Sequence, residues 1–197
     1  MANKKKRFIY YSSPEHWFQA ALELNEAVEE LYLIKEKAHF YQTFHFENQK
    51  TVKRPVLSRA TYLLMFYALE NLLKGIAVLN NPELVNKGKL QKGIKTHDLN
   101  QLSKLNHFRP NYEQKEFQSI LSAQCASNAR YPVGLNEQIA LTDPLITEKD
   151  YLIYNNLFTK YKQYLAKEFN KKGWESGLND SDLRTEPGEF KFYENKN

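Results

Sequence analysis

Residues 55–84 read PVLSRATYLLMFYALENLLKGIAVLNNPEL, and this stretch decides the fold. Between Val56 and Leu79 the apolar positions do not keep to one stripe. They cover nearly every side of a helix, interrupted by Arg59, Glu70 and Lys74. A helix that is apolar all round must be surrounded by protein, so this one is expected at the centre of a bundle. Asn80, Asn81 and Pro82 end it. The run falls short of the ~18 uninterrupted apolar residues that would span a membrane.

The flanking segments supply the helices to surround it. SSPEHWFQAALELNEAVEELYLIKEKAHFYQ, 12–42, opens with Ser13 as N-cap, Pro14 at the first helical position and Glu15 against the helix dipole. Phe18, Ala21, Leu22, Leu24, Val28, Leu31 and Leu33 then recur at roughly helical spacing, while Glu23, Glu26, Glu29 and Glu30 fall on the wet side. His39 and His45 fall at the end of this helix. Their spacing does not put them on one face, so packing or surface roles are expected rather than metal ligation. A Lys-, Gly- and Asn-rich connection runs from about Pro82 to Lys95, long for a helix–helix link.

THDLNQLSKL, 96–105, predicts a short helix capped by Thr96, with His97 and Asp98 in its first turn. YEQKEFQSILSAQCASNARY, 112–131, predicts another, halted by Pro132. Thr147 caps the last, EKDYLIYNNLFTKYKQYLAKEF, whose stripe is Tyr151, Tyr154, Leu157, Phe158, Tyr161 and Leu165. No strand pattern competes. The expected architecture is an all-α bundle of about five helices over 13–169. It lies between a basic N-terminal arm, 1–12, and a polar, flexible C-terminal tail, 170–197.

Composition sets bounds on function. The chain of 197 residues is 42% apolar and 26% charged, with net charge +5 and pI near 9.0. Lys4, Lys5, Lys6 and Arg7 supply most of that excess, leaving a body close to neutral. A run of this kind is either a solvated terminus or a phosphate-binding tail. A single cysteine, Cys125, excludes an internal disulfide and a multi-Cys zinc site, and reads as a small packing residue. The basic start leads into FIYYSSPEHW without an apolar segment, so no secretory leader and a cytoplasmic location are expected. Seven glycines are scattered singly, so no glycine-rich phosphate loop is present. No cofactor and no metal is expected.

Three pieces carry polar side chains in helical contexts. YALENLLKGIAV (67–78) holds Glu70 and Lys74 four apart with glutamate first, the favourable order for an ion pair. That pair reads either as a structural bridge or as a phosphate contact through Lys74. KTHDLNQL (95–102) sets His97 beside Thr96 and Asp98. There a helix N-terminus can serve an anion or simply be capped. NARYPVG (128–134) ends a helix with Arg130, which is favoured there by the dipole alone and also suited to phosphate. Tyr131 beside it offers a ring for a base, and Pro132 fixes the exit.

In order and spacing these three pieces resemble the HEPN superfamily (higher eukaryotes and prokaryotes nucleotide-binding domains), over roughly residues 56–168. The likeness is to the branch with an Ala-Arg-Tyr-Pro motif. The resemblance implies a nucleotide or phosphorylated ligand held by Lys74, His97, Arg130 and Tyr131, with Glu70, Thr96, Asp98, Asn128 and Asn136 in support. It also implies a homodimer and a nucleotidyltransferase partner, with RNA as a possible ligand. Ribonucleases of the superfamily carry arginine, four to six residues, then histidine. After Arg130 those positions hold Leu135, Asn136 and Glu137, and no other arginine is so followed. An amide cannot shuttle protons near neutral pH, so ribonuclease activity is not expected. Two alternatives stay open: a diverged endoribonuclease toxin using Arg130 with His97, and a protein-interaction module with no small ligand.

Overall fold

The central helix forms where the sequence places it, and every other element is arranged around it. The computed structural model describes residues 2–35, 37, 39–44, 50–126 and 145–190. Among them are six α-helices: α1 (Ala2–Tyr11), α2 (Pro14–Leu33), α3 (Ser58–Asn80), α4 (Leu99–Leu105), α5 (Tyr112–Ala126) and α6 (Glu148–Lys172). Two small antiparallel ribbons accompany them, β1 (His39–Phe44) with β2 (Lys50–Pro55) and β3 (Trp174–Glu175) with β4 (Arg184–Thr185). The fold is an all-α bundle with small strand additions.

Helix α3 packs against α2, α4, α5 and α6 at once. By length and composition alone it could cross a membrane, but 78% of that stretch is buried inside the protein. Met65, Phe66, Leu69, Leu72, Leu73 and Ile76 have no solvent exposure. Gly75 marks the closest approach: a Cβ there would lie 3.0 Å from both Trp17 Cβ on α2 and Leu165 Cδ2 on α6. Only hydrogen fits comfortably between the three helices.

Helix starts follow the expected chemistry, with one shift. Ser13 and Pro14 open α2, the serine hydroxyl bonding His16 Nδ1 at 2.9 Å rather than the backbone. Thr147 and Asp150 form a reciprocal capping box on α6. Asn111 and Gln114 exchange side-chain and backbone bonds of the same kind ahead of α5. For α4 the cap is Asp98, not Thr96. The Asp98 carboxylate accepts from Asn100 N and Gln101 N, while Thr96 Oγ1 accepts from Asp98 N. His97 therefore precedes the helix instead of lying in its first turn.

Four segments depart from the expected plan. Strands β1 and β2 pair antiparallel, registering His39 with Pro55 and Phe44 with Lys50, so His39 is in a strand, while His45 lies outside the described residues. The connection after α3 holds two short 3-10 turns, Pro82–Leu84 and Lys92–Ile94, and buries Val85 and Ile94 completely. The basic N-terminal run is helical because Ile9 is buried at 0% exposure and anchors it. Lys6 Nζ ties it to Asp180 and Asp182 at 2.9 and 2.6 Å.

The segment after α6 also docks. Trp174 and Leu183 are buried, Trp174 Nε1 donates to Val78 O at 3.2 Å, and Phe190 stacks on Phe169. Three large apolar side chains suffice to hold an otherwise polar stretch. Gly173 turns the chain there with φ +62° and ψ −160°, a conformation open essentially to glycine.

Candidate functional site

Helical spacing puts Glu70 and Lys74 on one face of α3, and the packed bundle then removes both from water. Their side chains are 5% and 6% exposed, and Lys74 Nζ lies 3.0 Å from Glu70 Oε1. The Trp17 ring covers the ammonium, its centroid 5.9 Å away. Trp17 is itself pinned by a bond from Nε1 to Ser12 O of 3.1 Å. Neither charge would be stable here alone.

His97 completes the group from outside. Its Nδ1 lies 2.7 Å from the same Glu70 oxygen, across 27 residues of sequence, while its side chain is 63% exposed. With Nδ1–H donating to the carboxylate, Nε2 is the ring atom left for a ligand, an acceptor when the ring is neutral and a donor when it is protonated. The Phe66 ring, centroid 6.4 Å from the imidazole, lies beneath it. One oxygen thus gathers two basic side chains, one sealed in the core and one facing water.

Of the residues the sequence singles out, Glu70, Lys74 and His97 meet. Thr96 and Asp98 serve the start of α4, and their oxygens occupy amides that an anion would otherwise use. Asn128, Arg130, Tyr131 and Asn136 lie outside the described residues. Cys125 is buried at 2% exposure, in keeping with packing. The cover that Trp17 gives Lys74 has no signature in the sequence, because it depends on how α2 crosses α3.

Three other buried polar groups are tied by hydrogen bonds between helices. Tyr154 Oη donates to Asn25 Oδ1 at 2.7 Å, and burial pushes that phenol well above its usual range. Gln118 Nε2 donates to Tyr161 Oη and Ser103 Oγ at 2.8 and 3.0 Å, all three side chains being buried. Tyr62 Oη donates to Asp150 at 2.9 Å, linking the capping box of α6 to α3; burial, then the neighbouring carboxylate, raises its pKa. A groove of about 700 Å³ lies on the outer face of α6 beside Phe108, Lys160, Tyr164 and Lys167, but neither Lys74 nor His97 borders it.

No known family model matches the chain, and neither a curated protein nor a solved structure is significantly similar to it.

Proposed function

We propose that this chain is an HEPN-like helical domain that binds a nucleotide or another phosphorylated ligand beside His97, without cleaving RNA. The observation that carries the reading is the single Glu70 oxygen shared by Lys74 and His97. An imidazole oriented by a carboxylate, with its second nitrogen left for a ligand, is a preorganised partner for a phosphate oxygen. Lys74 supports that site from within the core rather than touching the ligand. The resemblance adds Arg130 as a forked phosphate donor and Tyr131 as a stacking ring. It also supports a homodimer working beside a nucleotidyltransferase partner. A carboxylate-held histidine equally suits a general base, which keeps the diverged ribonuclease as the second reading.

The test follows the His97 ring by NMR during titration with ATP, ADP, inorganic phosphate and a short RNA. ATP is expected to shift the His97 resonances saturably. Arg130→Ala and His97→Ala should each weaken binding roughly tenfold or more, the value of one charge-assisted hydrogen bond. An unmoved His97 signal at millimolar ATP removes the proposal. Cleavage of the RNA that Arg130→Ala abolishes would establish the ribonuclease instead.

A further inference from the structure

The basic N-terminal helix carries a second feature that the site at His97 does not use. Asn3, Arg7, Tyr10 and Tyr11 follow one another at helical spacing along α1 and, with Lys6, line a cavity of about 300 Å³ closed by Asp182 and Leu183. Tyr10 and Tyr11 are 49% and 59% exposed, large apolar rings that would ordinarily be covered. They are nevertheless braced. Their centroids are 5.3 Å apart, and each meets the His16 ring edge-on at 4.7 and 5.3 Å. His16 is held in turn by Ser13 Oγ at 2.9 Å.

The charge on the helix that carries these rings is of one sign. Helix α1 contains Lys4, Lys5, Lys6 and Arg7 and no acidic residue. Lys6 bridges Asp180 and Asp182, which offsets one of their two negative charges and ties this wall to α1. Lys4, Lys5 and Arg7 remain exposed. A second cavity, about 640 Å³, continues past Lys6; it shares Asn3, Lys6 and Leu183 with the first and adds Lys5, Leu178 and Asp180. Lys5, Lys6 and Arg7 therefore stand along the two parts of one trough, with Asp180 and Asp182 on its other wall and the aromatic rings at one end.

We propose that this trough binds single-stranded nucleic acid, the bases stacking on Tyr10 and Tyr11 and the phosphates meeting Arg7 and Lys5. Exposed, immobilised aromatic faces beside a row of cations are what a sequence-tolerant single-strand site requires, since every base has a face to stack. An acidic peptide would use the cations and leave the rings idle. A duplex would hold its bases away from them. The inference is independent of the site at His97.

Fluorescence anisotropy of short labelled RNA and DNA oligonucleotides, with a poly-glutamate peptide of matched charge, tests it on the full chain. Two phosphate contacts predict a log–log salt slope of roughly −1.4, and Arg7→Ala should lower its magnitude by about 0.7. Tyr10→Ala and Tyr11→Ala should each weaken oligonucleotide binding about tenfold, with thermal melting unchanged because both rings lie on the surface. The RNA and DNA arms decide which strand is preferred, and tighter binding of either than of the peptide is the expected result. Equal affinity of the tyrosine variants and the wild type, equal binding of poly-glutamate, or no binding at low salt would each overturn the proposal.

Discussion

Removing the Glu70 carboxylate should cost far more than removing the Lys74 ammonium, although the two form one ion pair. Glu70 has two basic partners, Lys74 at 3.0 Å and His97 at 2.7 Å, whereas the described ion-pair partner of Lys74 is Glu70. Glu70→Leu therefore strands an ammonium whose side chain is 6% exposed, with the Trp17 ring as residual support. A buried charge left without its partner costs about 3–5 kcal/mol. Lys74→Met leaves the carboxylate bonded to His97 and should cost about 1–2 kcal/mol. The double variant removes both charges and fills the space with apolar atoms, so it should lie within about 1 kcal/mol of the wild type. Urea unfolding of the four proteins measures this as a coupling energy of several kcal/mol. In thermal melts Glu70→Leu should fall by roughly 10 °C for a chain of this size. A single variant within 1 kcal/mol of the wild type, or a double variant as unstable as Glu70→Leu, would show that the pair is not desolvated as described.

Two further outcomes concern the ends of the chain. Gly173→Ala would place a Cβ 2.2 Å from the Thr185 carbonyl oxygen at φ +62°, so it should release residues 174–190; hydrogen exchange at Trp174 should then accelerate strongly, and unchanged protection would refute the argument. The clasp between Lys6 and Asp180 should hold α1 over a wide pH window. The hydrogen bond from Lys6 is the main cause that keeps the Asp180 carboxyl below its ordinary range, and the bond to Asp182 is the main one that raises the Lys6 ammonium above 10.5. The Asp180 contribution is present above the unfolded carboxyl value of about 3.9 and is lost as pH falls below it; the Lys6 contribution is present below 10.5 and lost as pH rises past it. The protection of α1 amides, taken relative to their intrinsic exchange rate at each pH, should be flat between those limits and lower outside them, and Lys6→Met should abolish that dependence.

How much of this was readable in the sequence depends on how local each cause is. The all-round apolar run at 56–79 could belong only to a buried helix, and Thr147 with Asp150 announced the start of α6 because a capping box is a four-residue event. Near 96 two competent caps stand two residues apart. Asp98 prevails because its carboxylate reaches the amides of Asn100 and Gln101 together, while the Thr96 hydroxyl is taken by Asp98 N. Helix α1 was not legible, since a run of four cations has little tendency to order by itself. It is fixed by burial of Ile9 and by carboxylates more than 170 residues away. The pairing of 39–44 with 50–55 was hidden by continuity with the helical pattern before it. At the site the Glu70–Lys74 pair was visible as an i, i+4 spacing. Its union with His97 across 27 residues was an expectation that only tertiary packing could realise.

The same double variant separates what the buried pair does for stability from what it does for function. A buried ion pair is rarely the most stable filling of its volume, and well-packed apolar residues do as well or better. The geometry gives the pair a second consequence: the Glu70 oxygen that holds Lys74 also fixes His97, whose side chain is otherwise 63% exposed and free to rotate. Glu70→Leu with Lys74→Met should therefore keep the fold while loosening the imidazole. The expected result is a protein that melts near the wild type but binds ATP at least tenfold more weakly, with His97 resonances averaged toward those of a free ring. Lys74→Met alone, which leaves the carboxylate on His97, should keep most of the affinity. If the double variant binds ATP as well as the wild type, the pair is only a feature of the core, and His97 needs no carboxylate to do whatever it does.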